Sequence, residues 1–120
     1  MRFLPLKSEA QLDIQALHRA RERLVGERTA LIIQMRSLLL ERGITLPRRC
    51  YVLARWADEI LADTDTDRLS PRIRLLLTEM RGEWRELDRR IGMFDDEFVT
   101  DARQDEAARR LSTIPGNRPD

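Results

Sequence analysis

The sequence predicts an all-α protein: a long antiparallel helical hairpin of coiled-coil type, with a short third helix and a C-terminal helical stub. Three observations predict it. Ile73, Leu77, Met80, Trp84, Leu87, Ile91, Phe94 and Phe98 follow one another at gaps of 4, 3, 4, 3, 4, 3 and 4. That spacing keeps one narrow apolar seam facing a partner helix along its whole length. Leu17, Leu24, Leu31 and Leu38 recur every seven residues, and Ile14, Val25, Ile32, Met35 and Leu39 widen their stripe. Charged residues make up 36% and aromatics 5%, and all five prolines fall between candidate helices or at the ends. This is the composition of long amphipathic helices with solvated faces.

Residues 1–7 read as an extended lead-in, since Pro5 disfavours helix just before it. Phe3, Leu4 and Leu6 are apolar with nothing nearby in sequence to bury them, which suggests packing on something upstream. Residues 8–42 read as the first long helix. Ser8 with Gln11 is a capping-box signature, and Gly43 is a natural stop. Arg21 and Arg28 sit inside the apolar stripe. Either they snorkel past it to water, or Arg28 pairs with an acid on the facing helix and sets the register.

After a turn over 43–47, residues 48 to about 62 read as a shorter helix, with Leu53, Trp56 and Ile60 on one face and Val52 beside them. Asp63, Asp65 and Asp67 alternate with other polar or small residues in the loop that follows. They resemble part of a calcium loop, but Arg68 and Arg74 stand where its glycine and glutamate belong, so a calcium site is rejected. Ser70 caps the seam helix and Pro71 suits its first position. From Pro71 to about Thr100 it would run roughly 45 Å at ~1.5 Å per residue. The seam fails at Asp101. A last short helix is expected at 106–111, started by Gln104 and Asp105 and closed by Ile114, Pro115 and Gly116. The organisation is then a lead-in over 1–7, a helical coiled-coil region over 8–100, a short helix and the start of a further domain over 101–116, and a tail over 117–120.

Net charge is +1, which names no partner. Residues 1–60 carry 11 basic and 7 acidic side chains, and residues 61–120 carry 11 and 14, so the halves are mildly basic and mildly acidic. Of 22 basic residues only Lys7 is lysine. Arginine forks match phosphate and carboxylate, and the same bias follows from arginine-favouring codons in a GC-rich genome. Cys50 is the only cysteine, so no internal disulfide forms, which fits a reducing cytoplasm. With no run of 18 apolar residues and no apolar signal region, no membrane partner is expected.

No catalytic constellation is visible. His18 is the only histidine and reads as a surface residue among charges. No metal-ligand spacing and no phosphate-cradling glycine motif occurs; Gly26, Gly82 and Gly92 are isolated within helices. Ser37 and Ser112 lack a base nearby in sequence, and Glu86 with Arg90 reads as an ordinary i,i+4 pair. The candidate nucleic-acid patch is Arg42, Arg48, Arg49 and Arg55 with Tyr51: arginines to hold phosphates, a tyrosine to stack. The plainer reading is a helix start with solvated charges. The seam also reads as an oligomer surface. Trp84, Phe94 and Phe98 are large for a two-helix contact, so a monomer would leave an apolar strip in water, and a homo-oligomer of paired hairpins would cover it.

Several runs carry a resemblance. They are Arg2-Phe3-Leu4-Pro5-Leu6-Lys7-Ser8, then Gln15-Ala16-Leu17-His18-Arg19-Ala20-Arg21, then Glu27-Arg28-Thr29-Ala30-Leu31-Ile32. Near the other end stands Glu106-Ala107-Ala108-Arg109-Arg110-Leu111-Ser112-Thr113-Ile114-Pro115-Gly116. Together these resemble the middle of the bridge-RNA-guided insertion-sequence transposases. That family joins an N-terminal RuvC-like domain with a DEDD acidic site to a C-terminal domain with a nucleophilic serine, with a helical coiled-coil region between them. The resemblance implies that the metal-binding carboxylates precede Met1 and that the serine follows Asp120. No catalytic residue carries over, and magnesium belongs to the full-length family and not to this chain. Asn117 and Arg118 depart from the apolar residue and glycine that usually follow the Pro-Gly turn. The chain then reads as a truncated or frameshifted copy in which Met1 is an internal methionine. The function implied is a transposase fragment, inactive alone, that supplies a helical linker and oligomerisation region with possible RNA or DNA contact and a full-length transposase as partner. The alternative is a free-standing helical interaction or regulatory module that dimerises with a partner.

Overall fold

The computed structural model describes residues 8–45, 50–63 and 68–113. Over them it holds three helices and no strand: α1 (Glu9–Leu40), α2 (Cys50–Ala62) and α3 (Pro71–Thr113). The chain is all-α. Phe3, Leu4, Leu6, the 64–67 part of the acidic loop, and the turn and tail over 114–120 lie outside the described residues.

The helix ends are where the sequence marks them. Ser8 Oγ accepts from the Gln11 backbone N–H at 3.2 Å, and Gln11 Oε1 accepts from the Ser8 N–H at 3.0 Å, completing the capping box. At the other end of α1, Ile44 N–H donates to the Leu39 carbonyl and Gly43 N–H to the Leu40 carbonyl, both at 2.9 Å. This is the Schellman pattern. It needs a residue with positive φ, which Gly43 supplies at 76°. Ile44 and Leu39 are both buried in the core, so an apolar contact locks the stop. Ser70 Oγ accepts from the Ile73 N–H at 3.2 Å and starts α3, with Pro71 in the first turn.

One expectation fails. α3 does not break near Asp101; it runs unbroken for 43 residues. What stops at Asp101 is packing, because residues 102–111 are all exposed. The segment contains no glycine or proline, and its three alanines and three arginines favour helix on their own. Asp105–Arg109 at 3.0 Å and Glu106–Arg110 at 2.8 Å add i,i+4 support. Loss of the apolar period therefore ends the interface without ending the helix.

α1 and α3 lie antiparallel. Arg21 meets Asp95 and Arg28 meets Asp88, so numbers rise along one helix as they fall along the other. The five central seam positions, Leu77, Met80, Trp84, Leu87 and Ile91, are at most 4% exposed, while Ile73, Phe94 and Phe98 are half-buried. Facing them are Leu24, Leu31 and Met35 of α1, and α2 closes over the flank with Leu53 and Ala57. Each large side chain so covered contributes about 1.5–3 kcal/mol relative to exposure. The middle of the seam is thus covered inside one chain by α1 and the short helix, while Leu75, Leu76 and Met93 stay exposed elsewhere on α3. The molecule is long and thin, 76 × 40 × 20 Å, with a radius of gyration of 22.3 Å. A compact domain of this length would have roughly 14 Å.

Candidate functional site

Of the candidate patch, the described Arg42 lies just past the end of α1 and Arg55 lies on α2. Arg42 is half-buried, and its Nη1 donates to the Leu38 carbonyl at 2.8 Å, one turn back. This leaves its charge near the end of α1, where the unmet carbonyls favour a cation. Arg55 is exposed and only loosely paired with Glu59 at 4.0 Å. Arg48 and Arg49 lie outside the described residues. The Tyr51 backbone is helical, but its side chain also lies outside them. Trp56, one position beyond Arg55, is 40% exposed on the same short helix.

α2 is fixed by arginines of α3. Asp58 accepts from Arg81 Nε at 2.8 Å and Nη2 at 3.2 Å, and from Arg85 Nη2 at 2.7 Å. Arg74 donates to the Leu61 carbonyl at 3.0 Å and the Asp63 carbonyl at 2.8 Å, capping the C-terminal end of α2. Arg68 Nη1 donates to the Gly43 carbonyl at 3.3 Å and ties the two connections together. None of these pairs was visible in the sequence. They join residues 11 to 27 apart across helices and connections, and no period marks such a contact.

Along the shaft, Arg28 Nη1 lies 2.7 Å from Asp88 and Arg21 Nε lies 2.6 Å from Asp95. Of the two readings of Arg28, the pairing one is what the fold uses. His18 is exposed, but it also stacks on Phe98 with ring centroids 4.0 Å apart and planes 10° from parallel. The partner of Glu86 is Arg89, not Arg90: Arg89 Nη2 donates to Glu86 at 2.6 Å. Arg90 is half-buried at the edge of the interface. The Arg89 hydrogen bond holds the Glu86 carboxyl below the usual carboxylate range, and Glu86 in turn raises the Arg89 guanidinium. Ser37 is exposed, and the Ser112 side chain lies outside the described residues. Among the described residues, no three of His, Cys, Asp and Glu group to hold a metal ion, and no helix is long and apolar enough to cross a membrane.

No family model matches the chain, and no solved structure matches it. Curated sequences do. The transposase for insertion sequence element IS1111A of Coxiella burnetii is 37% identical over 116 residues, 97% of this chain and 32% of that protein. The transposase for insertion sequence element IS1328 of Yersinia enterocolitica is 36% identical over 116 residues, 97% of this chain and 34% of that protein.

The chain is related to the insertion-sequence transposases. It spans about a third of the length of the transposases it matches. The resemblance carried by the runs at 15–21 and 27–32 therefore holds at the level of insertion-sequence transposases. Because the match covers nearly the whole chain, it includes both long helices, the capping box at Ser8 and the seam from Ile73 to Phe98.

Proposed function

We propose that this chain is the helical arm of a bridge-RNA-guided insertion-sequence transposase. On this reading it acts in the cytoplasm as a linker and assembly element with nucleic-acid contact, and metal-dependent cleavage and serine chemistry reside outside residues 1–120. The observation that carries the reading is the match at 37% identity along 97% of the chain to about a third of a transposase. The elongated hairpin suits it: a body 76 Å in its longest extent, built on paired helices, holds other parts at a distance. Any homo-oligomer or pairing with a full-length transposase uses faces other than the seam, which is already covered. A chimera tests the reading. The matching third of the Coxiella transposase is replaced by this chain, and excision and insertion of a marked element are scored in cells. Activity within the same order as the parent is expected, with loss on Leu87→Asp, which places an unpaired charge in the seam. A stable chimera without activity would contradict the reading and favour a free-standing regulatory module.

The nucleic-acid part of the proposal rests on the closed end, with Arg42, Arg48, Arg49, Tyr51 and Arg55. Binding there is expected to be weak and to fade as salt rises, by about 0.7–0.9 log units per phosphate contact for each tenfold change in salt. Changing Arg48 and Arg49 together to glutamate is expected to remove most binding in a low-salt filter assay. Unaltered binding would refute the patch.

A further inference from the structure

α2 sits on α3 through two polar grips and a buried apolar face. Asp58 takes Arg81 and Arg85, and Arg74 takes the last carbonyls of α2. Leu53, with 0% exposure, lies on that face. Arg74, Arg81 and Arg85 are seven and four residues apart and share one face of α3. They make a cationic stripe about 16 Å long at ~1.5 Å per residue. Arg81 and Arg85 share the single charge of Asp58, and carbonyl oxygens, which carry only partial charge, hold Arg74.

Arg81 supplies a second, independent observation. Its side chain is 10% exposed, it lies over the Trp84 ring at 4.8 Å, and its Nη1 is buried without a hydrogen-bond partner among the described residues. A buried cation with an unmet donor carries a desolvation cost that opening relieves. The docked state of α2 therefore contains its own destabilising contact. The shaft is held separately, by Leu24, Leu31, Leu87 and Ile91 and by the Arg21–Asp95 and Arg28–Asp88 pairs.

We propose that α2 is a latch over a phosphate-binding stripe. Asp58 and the terminal carbonyls of α2 occupy Arg74, Arg81 and Arg85 in the place of nucleic-acid phosphates, and a bound nucleic acid displaces them. Arg85, 60% exposed, is the foothold where the first phosphate lands before α2 moves. Leu53 makes the closed form the default. A run of phosphates offers a charge to each arginine and a partner to Arg81 Nη1, which a single carboxylate does not. The ligand shifts the equilibrium by its preference for the open form, because the full stripe is reachable only there. This inference does not rest on the Arg48–Arg49 patch, and its test separates the two.

Trp84 is 2% exposed and reports the latch once Trp56→Phe removes the other tryptophan. In that background a labelled mixed-sequence DNA oligonucleotide is titrated at low salt, following anisotropy, acrylamide quenching of Trp84 and far-ultraviolet circular dichroism. Saturation is expected to expose Trp84 to quencher while helicity from the shaft persists. Asp58→Asn is expected to bind the oligonucleotide several-fold more tightly, and adding Arg81→Gln and Arg85→Gln to remove that gain. Binding that leaves Trp84 as protected as in the free protein overturns the latch, even where Arg48 and Arg49 prove essential to it. So does an absence of binding at low salt, or no gain from Asp58→Asn in a chain of unchanged helicity. If Asp58→Asn lowers helicity beyond the loss of α2, the Trp84 titration of the Trp56→Phe chain decides alone.

Discussion

Two glycines show how context sets the sign of one substitution. Gly82 is exposed within α3, and an added Cβ would meet nothing within 4 Å. Gly43 is also open in space, but its φ of 76° lies where a side chain is strained. Gly82→Ala is therefore expected to stabilise by about 0.5–1 kcal/mol, through helix propensity and a less free unfolded chain. Gly43→Ala is expected to destabilise by about 1–2 kcal/mol, the cost of a left-handed conformation for a residue with a Cβ. Urea midpoints of the two variants check both signs in one experiment. Arg28 belongs to the same scale. It interrupts the apolar stripe of α1, yet only 29% of its side chain is exposed and Asp88 answers it. A half-exposed pair of this kind is worth about 0.2–1 kcal/mol, so its use is to select the register more than to hold the helices together. Sequence showed that an arginine stood in the stripe. It did not show which acid would face it, since several aspartates and glutamates line that face of α3 and only the registered packing chooses among them.

At the scale of elements, caps and periods were legible because they are local. Ser8 with Gln11, Gly43, and Ser70 with Pro71 each act within a few residues, and each ends or starts a helix as its chemistry requires. The end of α3 was misread because the apolar period reports packing and not helicity. Past Asp101 the two part company: residues 102–111 keep the helix and lose the interface. Hydrogen exchange is expected to separate them. Amides over 77–91, whose seam residues are buried, exchange only with global unfolding, while those over 102–111 exchange orders of magnitude faster through local fraying. Equal protection along the whole of α3 would mean that something in this chain covers its far end. The candidate patch was only partly readable. Arg42 and Arg55 are where sequence placed them, but Asp58, Arg74, Arg81 and Arg85, which dock α2, left no pattern, because the contacts that matter there lie between helices.

For the whole molecule, the hairpin was legible in the sequence, while what covers its seam was open between a second copy and the short helix folded across it. A seam with Trp84 at its middle seemed too broad for one facing helix, so a second copy was the natural cover. Leu53 and Ala57 of α2, at 0% and 3% exposure, join the core that holds Leu77 and Trp84 and cover the middle of the seam. A short, moderately apolar helix of 13 residues does not advertise which long helix it will lie on. The middle of the seam is closed within a single chain, and spin-label distances test this. Labels are placed on Arg19→Cys and Glu97→Cys, exposed positions beside the stacked His18 and Phe98, with Cys50→Ser removing the native thiol. A separation within roughly 20 Å is expected, about twice the 8–10 Å spacing of packed helices, unchanged when labelled protein is folded with a large excess of unlabelled chain. A short distance that disappears on that dilution would show the two helices pairing between chains, and would contradict closure within one chain.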